Sequence, residues 1–226
     1  MAPPMLSDSA RPPLRATGRA RSLVLFVDRQ VYRLTFHWVA FVNLLLALYI
    51  GPAFAAPLLA AHGYTGLSHL IYTLYGPPVC HQLPERSFFI NGPRLAYTLE
   101  ELEAGGASLG QTTLQRRRFV GDAQWGYKMA FCQRDVALYG GVFCFGILYA
   151  LAGRRRLKAL PWQGFVLFLL PLAVDGLAQL VGLHESTPLG RVVTGLLAAA
   201  GGVWFAYPFI EEAMLDLRRS AAAKLG

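Results

Sequence analysis

The sequence predicts an all-α membrane protein, a four-transmembrane-helix bundle with a small extracytoplasmic cap between spans one and two. Three observations predict it. Hydrophobic residues make up 54% of the 226-residue chain and charged residues only 15%, whereas soluble domains carry about 25% charged residues. The charges fall in blocks, and the stretches between blocks are long enough to cross a bilayer. The Lys- and Arg-rich blocks also fall on one side of the membrane if there are four crossings, as expected of cytoplasmic segments.

Residues 1–34 read as a basic N-terminal tail followed by an interfacial segment. The first 20 residues are rich in Pro, Arg, Ser and Ala and have little to bury. Ser22 to Phe36 mixes apolar residues with Arg29 and Arg33, as a helix lying in the membrane interface does.

The transmembrane domain is expected over 35–210, with an insertion at about 77–131. Its first span runs from Trp38 to Ala61 without a formal charge, and roughly 20 apolar residues suffice to cross. A cleaved signal sequence is the rival reading, because Ala53-Phe54-Ala55 resembles a cleavage site. The apolar stretch is long for that role, since signal h-regions run about 7–15 residues. Residues 66–76 are apolar but too short to cross and suit a half-helix or a helix packed at the surface.

Within the insertion, Thr98 and Glu101 have the spacing of a capping box, and Gly105-Gly106 ends the short helix they start. Segments 113–120 and 123–131 are expected to pair as strands around Gly121-Asp122. The second span covers Val136 to Ala152, the third Pro161 to Val181 and the fourth Val192 to Ile210. Residues 211–226 form a C-terminal tail with Arg218, Arg219 and Lys224.

The basic residues order the topology. Arg11, Arg15, Arg19, Arg21, Arg29 and Arg33 precede the first span, and Arg154, Arg155, Arg156 and Lys158 separate the second and third. The loop 182–190 has neither Lys nor Arg. A multi-pass protein of the cell membrane with both termini cytoplasmic follows. Arg116-Arg117-Arg118, in the outer region, is the discordant feature. The net charge of +8 therefore signals topology and contact with the lipid bilayer, not a nucleic-acid partner: the basic residues flank apolar segments and form no recognition motif.

That topology gathers the chemically capable residues at one membrane surface. Cys80, His81, Cys132, Asp135 and His184 offer sulfur, nitrogen and oxygen donors suited to zinc or another transition metal. Outside the cytoplasm, Cys80 and Cys132 are equally able to form a disulfide or a redox-thiol pair, and two buried cysteines beside a hydrogen-bonded histidine is the bland alternative. No compact Cys-x-x-Cys motif favours one of these. Asp175 lies inside the third span with Gln179 one turn later. An ionisable residue there needs a partner, which Arg134 or Arg191 can supply. With Arg86, Glu185 and Thr194 these residues make up a candidate polar or ligand-binding cluster. Gly140, Gly141, Gly146, Gly195, Gly201 and Gly202 are expected to let helices approach closely. Cys144 is expected to pack inertly within its span.

Three segments together resemble an uncharacterised prokaryotic membrane protein family, domain of unknown function 2085. They are Cys80-His81-Gln82-Leu83-Pro84-Glu85-Arg86-Ser87-Phe88-Phe89, then Cys132-Gln133-Arg134-Asp135 leading to Tyr139-Gly140, then Asp175-Gly176-Leu177-Ala178-Gln179 with Glu185-Ser186-Thr187 and Arg191-Val192-Val193-Thr194-Gly195. The resemblance covers roughly residues 66–205 and implies a membrane protein without naming a reaction. Members of that family often have a second cysteine where this chain has Asp135, so the resemblance implies a mixed sulfur, nitrogen and oxygen site here in place of a purely thiolate one. The stretch from about Gly92 to Gly126 is longer than usual for the family.

Three functional classes follow from the residues. The first is a membrane protein with a metal or redox-thiol site at its extracytoplasmic face. The second is an enzyme acting on a lipid or isoprenoid phosphate, with Arg86, Arg134 and Arg191 binding phosphate and His81 or Asp175 moving protons; its bland counterpart has those arginines paired with Asp135, Asp175 and Glu185. The third is a non-catalytic subunit or assembly factor, with another membrane protein subunit as partner.

Overall fold

A computed structural model describes residues 18–76, 79–154 and 157–225. The tail up to residue 17, with Arg11 and Arg15, and the loop residues Arg155 and Arg156 lie outside the described residues. Among the described residues, four helices are long and apolar enough to cross a membrane: α1 (Gly18–Ala61), α5 (Gln133–Leu151), α6 (Trp162–Leu180) and α7 (Pro188–Leu225). The stretch assigned to an interfacial segment is continuous with the first span in α1, and the C-terminal tail continues α7.

The chain divides into two compact units. One contains the described residues up to Trp38 and those from Ala213. Within it, Arg218 donates through Nη2 to the Thr35 carbonyl at 2.7 Å and through Nε to Thr35 Oγ1 at 3.2 Å, and its guanidinium lies 3.7 Å from the centre of the Phe36 ring.

The other unit, Val39–Glu212, holds the candidate site. Its helices meet where side chains are smallest. A Cβ on Gly141 would come within 2.7 Å of Ala199 Cβ, and one on Gly201 within 2.4 Å of Phe168 Cβ. Gly195 lies against α5, with Ala137 Cβ and the Arg134 carbonyl each 2.9 Å from its ideal Cβ position. Gly146 is similarly tight, whereas Gly140 and Gly202 face open space. Phe165 stacks on Phe205 at 4.7 Å between α6 and α7. Beyond the C-terminal end of α5, Arg154 pairs with the buried Glu211 at 3.5 Å.

Between α1 and α5 the chain is not purely helical, which corrects the all-α expectation. A three-stranded antiparallel sheet has the order β1-β3-β2, formed by β1 (Ser87–Ile90), β2 (Gly121–Asp122) and β3 (Gly126–Cys132). The expected strand over 113–120 is largely a helix, α4 (Thr113–Arg118), because Thr112 and Gln115 cap its first turn reciprocally. The main partner of β3 is instead the distant β1, with Ser87 opposite Cys132 and Ile90 opposite Tyr127. Gly121-Asp122, expected as the turn of a local hairpin, is instead its short strand, paired with Tyr127 and Gly126. Gly126 turns the chain into β3 with φ of 81°, a left-handed conformation that a Cβ disfavours.

Two short helices complete this region. Helix α2 (Thr65–Leu74) buries Ser68, Ile71 and Tyr72. Helix α3 (Leu99–Ala104) starts at the Thr98–Glu101 capping box and ends at Gly105. A small core of Phe89, Tyr97, Leu102, Leu109 and Trp125 holds the cap together, with Tyr97 edge-on to both Phe89 and Trp125.

Candidate metal centre

Strand β3 is buried and, Lys128 apart, largely apolar, and it delivers Cys132 to the start of α5, where that residue is the N-cap. Cys80 and His81 arrive on the loop after α2. A buried cluster of Ala53, Ala56, Ile71, Tyr72, Ala130 and Phe131 surrounds both cysteines. Tyr49, Tyr75 and Tyr139 close the cluster, each ring within 5.5 Å of Phe131 or 5.8 Å of its neighbour. The loop has its own ties. Gln82, at φ 51°, donates through Nε2 to the Tyr72 carbonyl at 3.0 Å and the Ala130 carbonyl at 3.1 Å.

The result is a tight group of donors: one ligand atom each from Cys80, His81 and Cys132, all within 4.8 Å of one another. Both thiols are free and buried. The Cys132 N–H donates to Cys80 Sγ at 3.2 Å. Cys132 is held well below the ordinary thiol range by a hydrogen bond from Cys80, and burial opposes this; the His81 ring and the Asp135 N–H at the helix start support it. Cys80 is pushed up, first by sharing its proton with Cys132 and then by burial. The pair thus yields one proton readily and holds the second. The Asp135 side chain reaches both sulfurs as a hydrogen-bond neighbour, but stands outside the three-donor group.

A tetrahedral zinc site spaces sulfur and nitrogen ligands about 3.5–3.8 Å apart, so roughly 1 Å of closure converts this group into one. Two sulfurs and an imidazole nitrogen fit zinc by softness as well as by spacing. The Leu83 N–H donates to His81 Nδ1 at 3.1 Å. The neutral ring then carries its proton on Nε2. A metal held at Nδ1 would take the place of the Leu83 bond; one held at Nε2 would need the ring proton on Nδ1, which also breaks that bond.

Lys128 was missed by sequence reasoning. It is fully buried in β3, and its Nζ donates to the Gln82 carbonyl at 2.7 Å and the Arg117 carbonyl at 2.6 Å. One amine therefore braces the Cys80–Gln82 loop against the end of α4. Burial lowers its pKa to about 7. A neutral amine has two N–H bonds and meets two carbonyls here. The available signal was a lone charge inside an otherwise apolar strand.

The remaining predicted residues form a second group. Arg86 grips Glu185 through two bonds of 3.0 Å. Arg191, only 3% exposed, donates to Glu185 at 2.8 Å and to Gln133 Oε1 at 3.0 Å. Gln179 donates to Glu185 at 2.8 Å. Arg134 pairs with Asp175, which also accepts from Ser186 Oγ at 2.9 Å. His184 lies here as well: its Nε2 is 3.9 Å from Asp175, and it does not join Cys80, His81 and Cys132. Thr194 turns back to the Gly190 carbonyl of its own helix at 2.9 Å. Of the two partners weighed for Asp175, Arg134 takes the role and Arg191 does not. Gln133 and Ser186, both buried, complete this network without having been singled out.

Residues 123–205 match the family model described as a predicted membrane protein, DUF2085, the family identified by resemblance from the sequence. An uncharacterized protein of Methanocaldococcus jannaschii is 27% identical over 175 residues, a span covering 77% of this chain and 90% of that protein. No solved structure matches.

Proposed function

We propose that this DUF2085 family protein is an integral membrane protein that holds a zinc-like transition metal ion at Cys80, His81 and Cys132, at the extracytoplasmic end of a four-helix bundle. The observation that carries the reading is the convergence of three ligand atoms to within 4.8 Å, from a loop and a helix start that are distant in sequence. Asp135 is the neighbouring oxygen donor, close enough to enter the coordination sphere or to orient a sulfur ligand. Three protein donors leave a fourth position for water or a ligand.

Several features support the bilayer as surroundings. Helix α6 buries none of its most apolar window, and Leu167, Leu170, Val174, Leu177 and Leu180 are all exposed. An apolar surface of that extent suits lipid or another spanning helix and not water. The Lys- and Arg-free turn at 182–190 supports placing the site end outside the cytoplasm.

The arginines considered for phosphate chemistry are engaged otherwise: Arg86 and Arg191 share Glu185, and Arg134 pairs with Asp175. The metal reading therefore ranks above a lipid-phosphate enzyme built on those three residues. Metal analysis of the full-length protein purified in mild detergent tests it. About one equivalent of bound ion is expected in the native protein and almost none in Cys80→Ala/Cys132→Ala. Equal, negligible metal in both overturns the reading.

A further inference from the structure

A cleft of about 460 Å³ opens beside the candidate metal centre, and Cys80 and His81 form part of its wall. Arg117 and Arg118 line it too, and Tyr72 and Leu114 supply apolar lining. The electrostatics of this cleft differ from those of its neighbour. In the cleft of about 420 Å³ around Arg86, Arg116 and Arg191, Glu85 and Glu185 also contribute to the lining, and each of those arginines has a carboxylate partner. The 460 Å³ cleft has no carboxylate among its described lining residues. Neither Arg117 nor Arg118 forms an ion pair among the described residues, and Arg117 Nε is buried without a hydrogen-bond partner. Two arginines without a carboxylate partner, lining the same cleft as Cys80 and His81, give that cleft a net positive character suited to an anion.

We propose that this cleft binds an oxyanion, a phosphate-type group, with its charge on Arg117 and Arg118 and one oxygen directed to the open fourth position of the metal. The inference rests on the metal reading above and names its ligand class. The Lys128 amine bonds the Arg117 carbonyl and the Gln82 carbonyl at once, so it fixes the distance between the cationic wall and the wall bearing Cys80 and His81. The apolar lining leaves room for more than a bare ion, which suits either a lipid headgroup with its glycerol portion or a small soluble phosphate compound. The inference also accounts for the triple arginine that the positive-inside pattern left discordant: Arg116 pairs with Glu85 at 3.5 Å, and its two neighbours serve the cleft.

The test uses full-length protein loaded with Co²⁺ in phosphatidylcholine nanodiscs. Thiolate-to-cobalt absorption bands report the metal site, and the visible ligand-field bands report its fourth position. In one arm inorganic phosphate is titrated; in the other, part of the phosphatidylcholine is replaced by phosphatidic acid. A change in the ligand-field bands in either arm, weakened by about tenfold or more in Arg117→Gln/Arg118→Gln with the thiolate bands intact, supports the proposal, and the responding arm identifies the source of the oxyanion. Arg118→Gln alone, at an exposed position, is expected to give a smaller loss and guards against misfolding of the double variant. Normal thiolate bands with no response in either arm, or a response that persists in the double variant, overturn the oxyanion site and leave the metal reading standing. Absence of thiolate bands in the native protein overturns both.

Discussion

Lys128 shows how one buried side chain couples the cap to the site. Its amine is fully enclosed, faces Cys80, Glu85 and Arg117 electrostatically, and has its pKa lowered from 10.5 to about 7 by burial. The folded state therefore disfavours the charged form. Between about pH 7 and 10.5 the unfolded chain binds a proton at this residue that the folded chain does not, so this group makes stability rise with pH across that window. Below about pH 7 both states are protonated and its contribution is flat. Denaturation midpoints measured from pH 6 to 10 should show this slope in the native protein, and subtraction of the Lys128→Met curve should isolate it. Identical slopes in the two proteins would mean that the amine is charged and solvated.

The helices of the site-bearing unit are positioned by contacts too close for a side chain. Gly195 touches both Ala137 and the Arg134 carbonyl, and neither backbone can yield locally. Gly195→Ala is expected to cost about 1–3 kcal/mol by overpacking, read as a lowered unfolding midpoint in detergent. Gly202→Ala, at a position facing open space, is expected to leave the midpoint unchanged. The network at the same end of the bundle works in the other direction, by attraction. Arg191 is buried with Glu185, Gln133 and the Glu85 carbonyl as partners, and its charge is tolerable only because those acceptors are supplied by three separate segments.

These elements were unevenly legible in the sequence. Long uncharged runs identified four apolar helices, and Thr98 with Glu101 announced a helix start, because both signals are local. The β1–β3 pairing was not legible: Ser87 meets Cys132 across 44 intervening positions, and strand pairing at that separation leaves no local trace. Residues 113–120 were expected as a strand only because they precede Gly121-Asp122, and the Thr112–Gln115 cap decides for helix. Cys144 was expected in the packing and is exposed on α5. His184 was grouped with the cysteines because its loop lies at the same end of the bundle; sharing an end does not specify which of two adjacent clusters a side chain joins.

For the whole molecule, the sheet, the start of α5 and the α6–α7 turn meet at one end of the Val39–Glu212 unit, and the loop after α5 leaves from the other. Thr187→Cys and Leu157→Cys, made separately with Cys144 replaced by Ser, should react with an impermeant maleimide from opposite faces of sealed vesicles, the first from the extracytoplasmic side. Labelling of both from one side would remove the four-span arrangement.

X-ray absorption at the zinc edge of the full-length, zinc-loaded protein reads whether Cys80, His81 and Cys132 share one ion. That arrangement gives two sulfur neighbours at about 2.3 Å and lighter atoms at about 2.0–2.1 Å, one of them an imidazole nitrogen. A coordination sphere of light atoms alone, unchanged in Cys80→Ala/Cys132→Ala, would contradict it.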